Sequence, residues 1–135
     1  MTLDLKETNR TFTDHLVTPG LILFTERFDD CVKFYRDKLE LPVWFEKEAL
    51  CCLHFGSCYL MIEDEGVAKS SRKTVAENPT SLRFNVDDVE CAAELLSGKG
   101  IDVEIVRYDW GTIGRFIDPD GNSCSLKNAD DVFFS

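Results

Sequence analysis

From Gly20 onward the chain runs through one order of elements twice, and that duplication limits its fold more than any other feature. GLILFT (20–25) is an apolar run of strand length. In FDDCVKFYRDKLEL, Phe28, Cys31, Val32, Tyr35 and Leu39 recur at helical spacing, with Asp29 and Asp30 placed to cap the start. Three strand-like runs follow, Val43–Glu46, Leu50–Phe55 and Cys58–Glu63, the last two joined by Gly56-Ser57 as a two-residue turn. The order then recurs. SLRFNV (81–86) is a strand, and DVECAAELLSGKG puts Val89, Ala92, Ala93 and Leu96 on one helical face, closed by Gly98 and Gly100. Asp102–Arg107, Thr112–Ile117 and Ser123–Lys127 are three more strands, the last two turned by Asp118-Pro119-Asp120-Gly121-Asn122. A shift of 61 residues lays Leu21 on Leu82, Leu23 on Phe84 and Phe28 on Val89.

This order predicts an α+β chain of two βαβββ modules. The expected boundaries are an N-terminal arm at 1–17, a first module at 18–63, a second at 80–128 and a C-terminal tail at 129–135. Between the modules, DEGVAKSSRKTVAENP (64–79) is polar and rich in turn formers, which marks a linker or a flap. One structural domain is expected, since 135 residues with 44% hydrophobic content can bury a core without disulfide or metal staples.

Twenty-five acidic against 15 basic residues give a formal charge of −10, which argues against a nucleic-acid or anionic-membrane partner by long-range repulsion. It modestly favours cationic ligands. No apolar run approaches the roughly 18 residues of a membrane helix. The polar start MTLDLKETNRTFTDH lacks the order of a secretory signal. Six cysteines without a C-x-x-C pair then read as reduced, mostly buried thiols in a cytoplasmic protein.

FYRDKLEL at the end of the first helix, FNVDDVECAAELLSGKGIDV in the second half and FIDPDGNSCSL in the last hairpin together resemble the vicinal oxygen chelate superfamily. That group includes glyoxalase I, bleomycin-resistance proteins, fosfomycin-resistance enzymes and extradiol dioxygenases. The resemblance spans about residues 18–128. It implies curved mixed sheet around a groove, often closed by dimerisation, so a homodimer is expected. It also implies metal ligands, His, Glu or Gln, at the start of each module's first strand and near the middle of its last. The matching positions are Gly20, Met61, Ser81 and Ser125, none of which is a normal ligand for a hard or borderline divalent ion. The expectation is therefore no metal and no cofactor. Glyoxalase, epoxide-opening and dioxygenase chemistry is in doubt, because it uses the metal as a Lewis acid.

CCLHFGSC (51–58) concentrates three cysteines and a histidine. With Gly56-Ser57 as the turn, alternation puts Cys52, His54, Tyr59 and Met61 on one face and Cys51, Leu53, Phe55, Cys58 and Leu60 on the other. Cys58 and His54 then diverge, so a four-ligand zinc site is not expected. His54 remains a residue that could contact a ligand or move a proton, or simply hydrogen-bond a neighbour.

The same alternation lines the groove with Ile22 and Phe24, Arg83 and Asn85, Ile113 and Arg115, and Ser123, Ser125 and Lys127. Trp110 stands at the rim, and Trp44 or Phe45 adds an aromatic wall. The predicted ligand site is Phe24, Trp44, Cys52, His54, Tyr59, Arg83, Asn85, Trp110, Arg115 and Ser125, with no catalytic residue assigned. Arg83 and Arg115 either hold a carboxylate or phosphate or pair with acids such as Glu46, Glu63 or Asp118. Asp118 and Asp120 are read as turn residues. Such walls suit a small organic compound, and the leading expectation is a non-catalytic binder similar to the bleomycin-resistance branch. The alternative is a lyase or dioxygenase-type enzyme with a non-standard or absent metal site, in which His54, Cys52 and Tyr59 would supply the reacting groups.

Overall fold

The computed structural model describes residues 10–131. Parts of the expected arm and tail, residues 1–9 and 132–135, lie outside the described residues. Within the arm a single helical turn, α1 (Phe12–His15), is held by a capping box between Thr11 and Asp14. The first module comprises β1 (Gly20–Thr25), α2 (Phe28–Val32), β2 (Val43–Lys47), β3 (Leu50–Phe55) and β4 (Cys58–Asp64). The second comprises β5 (Leu82–Val86), α3 (Val89–Ser97), β6 (Glu104–Tyr108), β7 (Gly111–Ile117) and β8 (Ser123–Asn128).

Each module forms its own four-stranded mixed sheet, ordered β1-β4-β3-β2 and β5-β8-β7-β6. In both, the first strand runs parallel to the last and the remaining ladders are antiparallel. The architecture is the α+β arrangement of two βαβββ units expected from the sequence. The helix pairs begin one repeat apart, at Phe28 and Val89, as do β2 and β6, at Val43 and Glu104.

Alternation decides what each sheet buries. On one face, Leu23, Leu53, Leu60 and Ile62 of the first sheet and Leu82, Phe116, Cys124 and Leu126 of the second join a common core with both helices. Phe55 meets Phe84 edge-on at 5.1 Å, and Phe34 lies 6.1 Å from Phe116, so the two modules share this core. Each such side chain contributes about 1.5–3 kcal/mol of apolar burial. The opposite face carries exposed Ile22, Phe24 and Trp44 in the first sheet and exposed Arg83 and Asn85 in the second, although Cys52, Ile113, Ser125 and Lys127 on these faces are buried.

The first helix departs from regular α geometry. After α2 the chain continues as a π-helical segment from Lys33 to Lys38, with the Leu39 amide donating to the Phe34 carbonyl at 2.9 Å. Adjacent Phe34 and Tyr35 in this wider turn are both buried. Helical spacing alone selects Tyr35 and misses Phe34. Asp29 and Asp30 also do not cap the helix: Arg27 occupies that position without a side-chain bond, and both aspartates lie in the first turn.

The missing cap comes from the other module. The buried Asp120 carboxylate accepts the Glu26 amide at 2.7 Å and the Arg27 amide at 2.9 Å. Next to it, Asp118 accepts the backbone amides of Asp120 and Asn122, the Asn122 side-chain amide and the Tyr35 hydroxyl, the last at 2.6 Å. Burial raises the Asp118 pKa, and the bonds from Tyr35 and Asn122 oppose that rise. Asn122 Oδ1 accepts from Lys73 Nζ and Asn78 Nδ2, both at 2.9 Å. The Lys69 and Lys73 amides donate to the carbonyls of Asp120 and Gly121. Gly121, at φ +86°, sits so close to the carbonyls of Lys69 and Ser71 that a side chain would collide with them.

Replacing Asp120 with Ala leaves two amides without their charged acceptor. Asp120→Ala is expected to lower the unfolding free energy by about 3 kcal/mol in urea denaturation. Asp29→Ala, which loses only a helix-dipole contact, should cost less than about 1 kcal/mol.

Candidate functional site

On the open face of the first sheet, the ladder aligns His54 with Tyr59 and Gly20, and Cys52 with Met61 and Ile22. A β-bulge between Val43 and Phe45 brings an extra residue of β2 over this face. Both aromatic side chains of β2 therefore contribute, where alternation admits only one. Trp44 stacks on His54 with ring centres 5.4 Å apart and 14° between planes. It meets Tyr59 edge-on at 5.9 Å and Phe45 at 5.9 Å. Trp44 and Phe24 remain about half exposed, at 50% and 51%. Phe24 and Ile22 also border a cavity of about 520 Å³ whose other wall is the connector between β4 and β5, including Val67, Lys69 and Lys73.

The cysteines of CCLHFGSC do not converge. Cys51 faces the core side and donates to Glu46, while Cys58 donates to the Phe55 carbonyl at 3.0 Å. Cys52, opposite Phe45, is only 1% exposed and offers no surface to a ligand, in contrast to its expected role in the site. Burial pushes the Cys51 and Cys124 thiols up to about 12 and raises that of Cys52. These thiols are packed, protonated groups. No cluster of three or more His, Cys, Asp or Glu able to hold a metal occurs among the described residues.

The open face of the second sheet is polar. Arg83 and Arg115 both pair with Ser125 in the ladder, from opposite sides. Arg83 Nε donates to Ser125 Oγ at 2.8 Å, and Arg115 lies 3.6 Å from Glu104. Neither arginine is bound to Glu46, Glu63 or Asp118; Glu46 instead pairs with Arg36 at 2.7 Å. Ser81 and Ser123 hydroxyls are 3.1 Å apart. Asn85 is exposed beside Lys127, its ladder partner. The buried Lys127 ammonium lies 3.5 Å from Asp131 and 5.9 Å from the centre of the Trp110 ring. Trp110 in turn stacks on Tyr108 at 4.8 Å and 6°.

Two groups here escape the sequence reading. Arg72, in the polar connector, donates to Ser123 Oγ at 2.8 Å; nothing in an aperiodic stretch signals such a placement. Tyr108 belongs to β6, which starts and ends later than its expected span. Its spacing of two from Trp110 is a usable clue once that end is known.

The four positions that the resemblance assigns to a metal do not suit one. A side-chain carbon at Gly20 would overlap the Tyr59 ring, which fills the space a ligand would need. Met61 offers a thioether. Ser125 already accepts from a guanidinium, whose charge repels a cation. Ser81 donates to the Ser123 carbonyl at 3.2 Å.

The model of the Glyoxalase/Bleomycin resistance protein/Dioxygenase superfamily matches residues 13–126. The chain is 32% identical over 113 residues to the uncharacterized protein YraH of Bacillus subtilis, covering 74% of this chain and 88% of that protein. Among solved structures, it is similar to lactoylglutathione lyase from Agrobacterium tumefaciens, with TM-score 0.65 and 22% identity over 84% of this chain and 93% of that one. It is similar also to TnmS3, an antibiotic binding protein from a Streptomyces species, with TM-score 0.63 and 19% identity over 84% and 95%. The duplicated βαβββ sheets and these matches place the chain in the glyoxalase/bleomycin-resistance/dioxygenase superfamily.

If Tyr59 is what closes the Gly20 position, the two residues must be energetically coupled. Gly20→Ala should cost about 1–3 kcal/mol by overpacking. In a double-mutant cycle, Tyr59→Ala should remove most of that cost. Additivity of the two substitutions would show that the ring does not occupy the position.

Proposed function

We propose that this chain binds a small organic molecule, without a metal ion, in a groove bounded by the aromatic face of the first sheet and the arginine-bearing face of the second. The observation that carries this reading is the Tyr59 ring packed over Gly20, a ligand position in metal-dependent relatives under the family resemblance. Around it, Trp44, His54 and Phe24 offer flat, partly exposed walls, and planar π-systems stack on such walls at about 0.5–1.5 kcal/mol beyond area burial. TnmS3, an antibiotic binding protein of the same fold, supports binding rather than turnover.

A lyase or dioxygenase-type reaction is the second reading. It draws on the similarity to lactoylglutathione lyase and on His54, exposed on the open face beside Tyr59. Against it, among the described residues no carboxylate is bonded to His54 to orient the ring, which rests on Trp44 instead.

A second copy of the chain would cover the open faces. Ile22, Phe24, Val43 and Trp44 are large apolar groups left exposed on the first module, so a homodimer is part of the proposal. The six free cysteines agree with a reducing, cytoplasmic setting. Among the described residues, no helix is long and apolar enough to cross a membrane. The charge of −10 weighs against nucleic acid as a partner.

The test is a thermal-shift series on the purified chain, combined with a mass measurement by light scattering. A polycyclic aromatic ligand should raise the melting temperature by mass action, whereas a chelator and Zn²⁺, Ni²⁺, Mn²⁺ or Fe²⁺ should not move it. Twice the chain mass is expected in solution. A chelator-reversible rise with one metal would overturn the metal-free reading.

A further inference from the structure

The net charge of the chain and the charge of its second open face have opposite signs. Against a formal charge of −10, three arginines gather around two serines of β8. Arg83 and Arg115 flank Ser125 on the neighbouring strands, each about 4.8 Å away in the ladder. Arg72 arrives from the connector and fixes its guanidinium on Ser123, two residues earlier on the same strand. Arg72 and Arg115 also line one cleft of about 340 Å³ together with the carboxylates Asp102 and Glu104.

Among the described residues, two of these three arginines have no carboxylate partner. Among the described residues no carboxylate lies within salt-bridge distance of Arg72 or Arg83, and both bond only to neutral hydroxyls. Arg115 has Glu104 at 3.6 Å, an exposed pair of the kind that contributes little. Burial first, and then the neighbouring Arg115 charge, lower the Arg72 pKa, while Glu104 acts in the opposite direction. An arrangement that disfavours its own charges is offset when an anion enters. Ser125 accepts from Arg83, which leaves its own hydroxyl proton available to donate. Further along this face, the exposed Trp110–Tyr108 stack provides an apolar rest.

We infer that this face binds the doubly charged oxyanion of an organic phosphate monoester between Arg72, Arg83 and Arg115, with the ester's apolar part directed toward Tyr108 and Trp110. The inference rests on the binding reading above and specifies the ligand class for it. Three guanidinium groups suit a tetrahedral dianion with several acceptor oxygens better than a single carboxylate, which neutralises only one of them.

Calorimetric titration of the full chain separates the contributions, using phenyl phosphate, inorganic phosphate, benzoate and phenol as probes. Phenyl phosphate should bind at least about tenfold more tightly than each of the other three and weaken steeply as salt is added. Arg72→Gln and Arg115→Gln should each weaken phenyl phosphate about tenfold or more and leave phenol unchanged. Arg36→Gln, at a remote ion pair on the helix, should change nothing. Circular dichroism melts confirm that the variants fold. Phenol or benzoate binding as tightly as phenyl phosphate, or unchanged affinity in both variants, overturns the anion inference while leaving a binder of aromatic compounds. No heat with any of the four, together with no thermal shift from aromatic ligands, overturns both.

Discussion

A five-residue turn between β7 and β8 holds the two modules in register. Asp118 folds the turn around its own carboxylate, and that geometry aims Asp120 outward to take the amides at the start of α2 in the other module. The same turn receives the Tyr35 hydroxyl from the π-helical segment and, through Asn122, two side chains of the connector. Charged acceptors buried with all their lone pairs engaged are strong and directional. The connector is thereby pinned along the edge of the first open face, where Ile22 and Phe24 meet Val67 and Lys69. The connector cavity, and Arg72 carried on the connector, inherit their positions from this turn.

Much of this was legible from residues alone. Period-two alternation identified which side of each strand carries Phe24, His54, Tyr59, Arg83, Arg115 and Ser125, because a pleated strand leaves its side chains no other choice. Strand ends moved by one or two residues. The long-range polar bonds were out of reach: nothing local tells Asp120 that its partners are Glu26 and Arg27, more than ninety positions earlier in the chain. Asp29 and Asp30 carry a local capping signal that tertiary structure overrides. Likewise the β2 bulge and the π-helical turn are departures from regular periodicity, and each changes which side chains reach the site or the core. Cys52 shows the converse limit, since facing the groove side is not the same as being reachable.

The two open faces differ in character although they are built by the same topology. The first is aromatic, with Phe45, His54 and Tyr59 each in contact with Trp44. The second is polar and cationic around Ser123 and Ser125. Duplication supplies two equivalent scaffolds, and side-chain choice at corresponding strand positions makes them complementary. An amphipathic molecule with a flat apolar body and a charged end is the shape of ligand that such a pair of surfaces can tell apart from simpler compounds.

The contact between Tyr59 and Gly20 has an evolutionary consequence. Ring and glycine are ladder partners, so each constrains what the other can become. Placing a ligating side chain at Gly20 while the ring stays in place strains the strand, and removing the ring first leaves a void over a glycine. A ligating side chain at Gly20 therefore requires a compensating change at Tyr59.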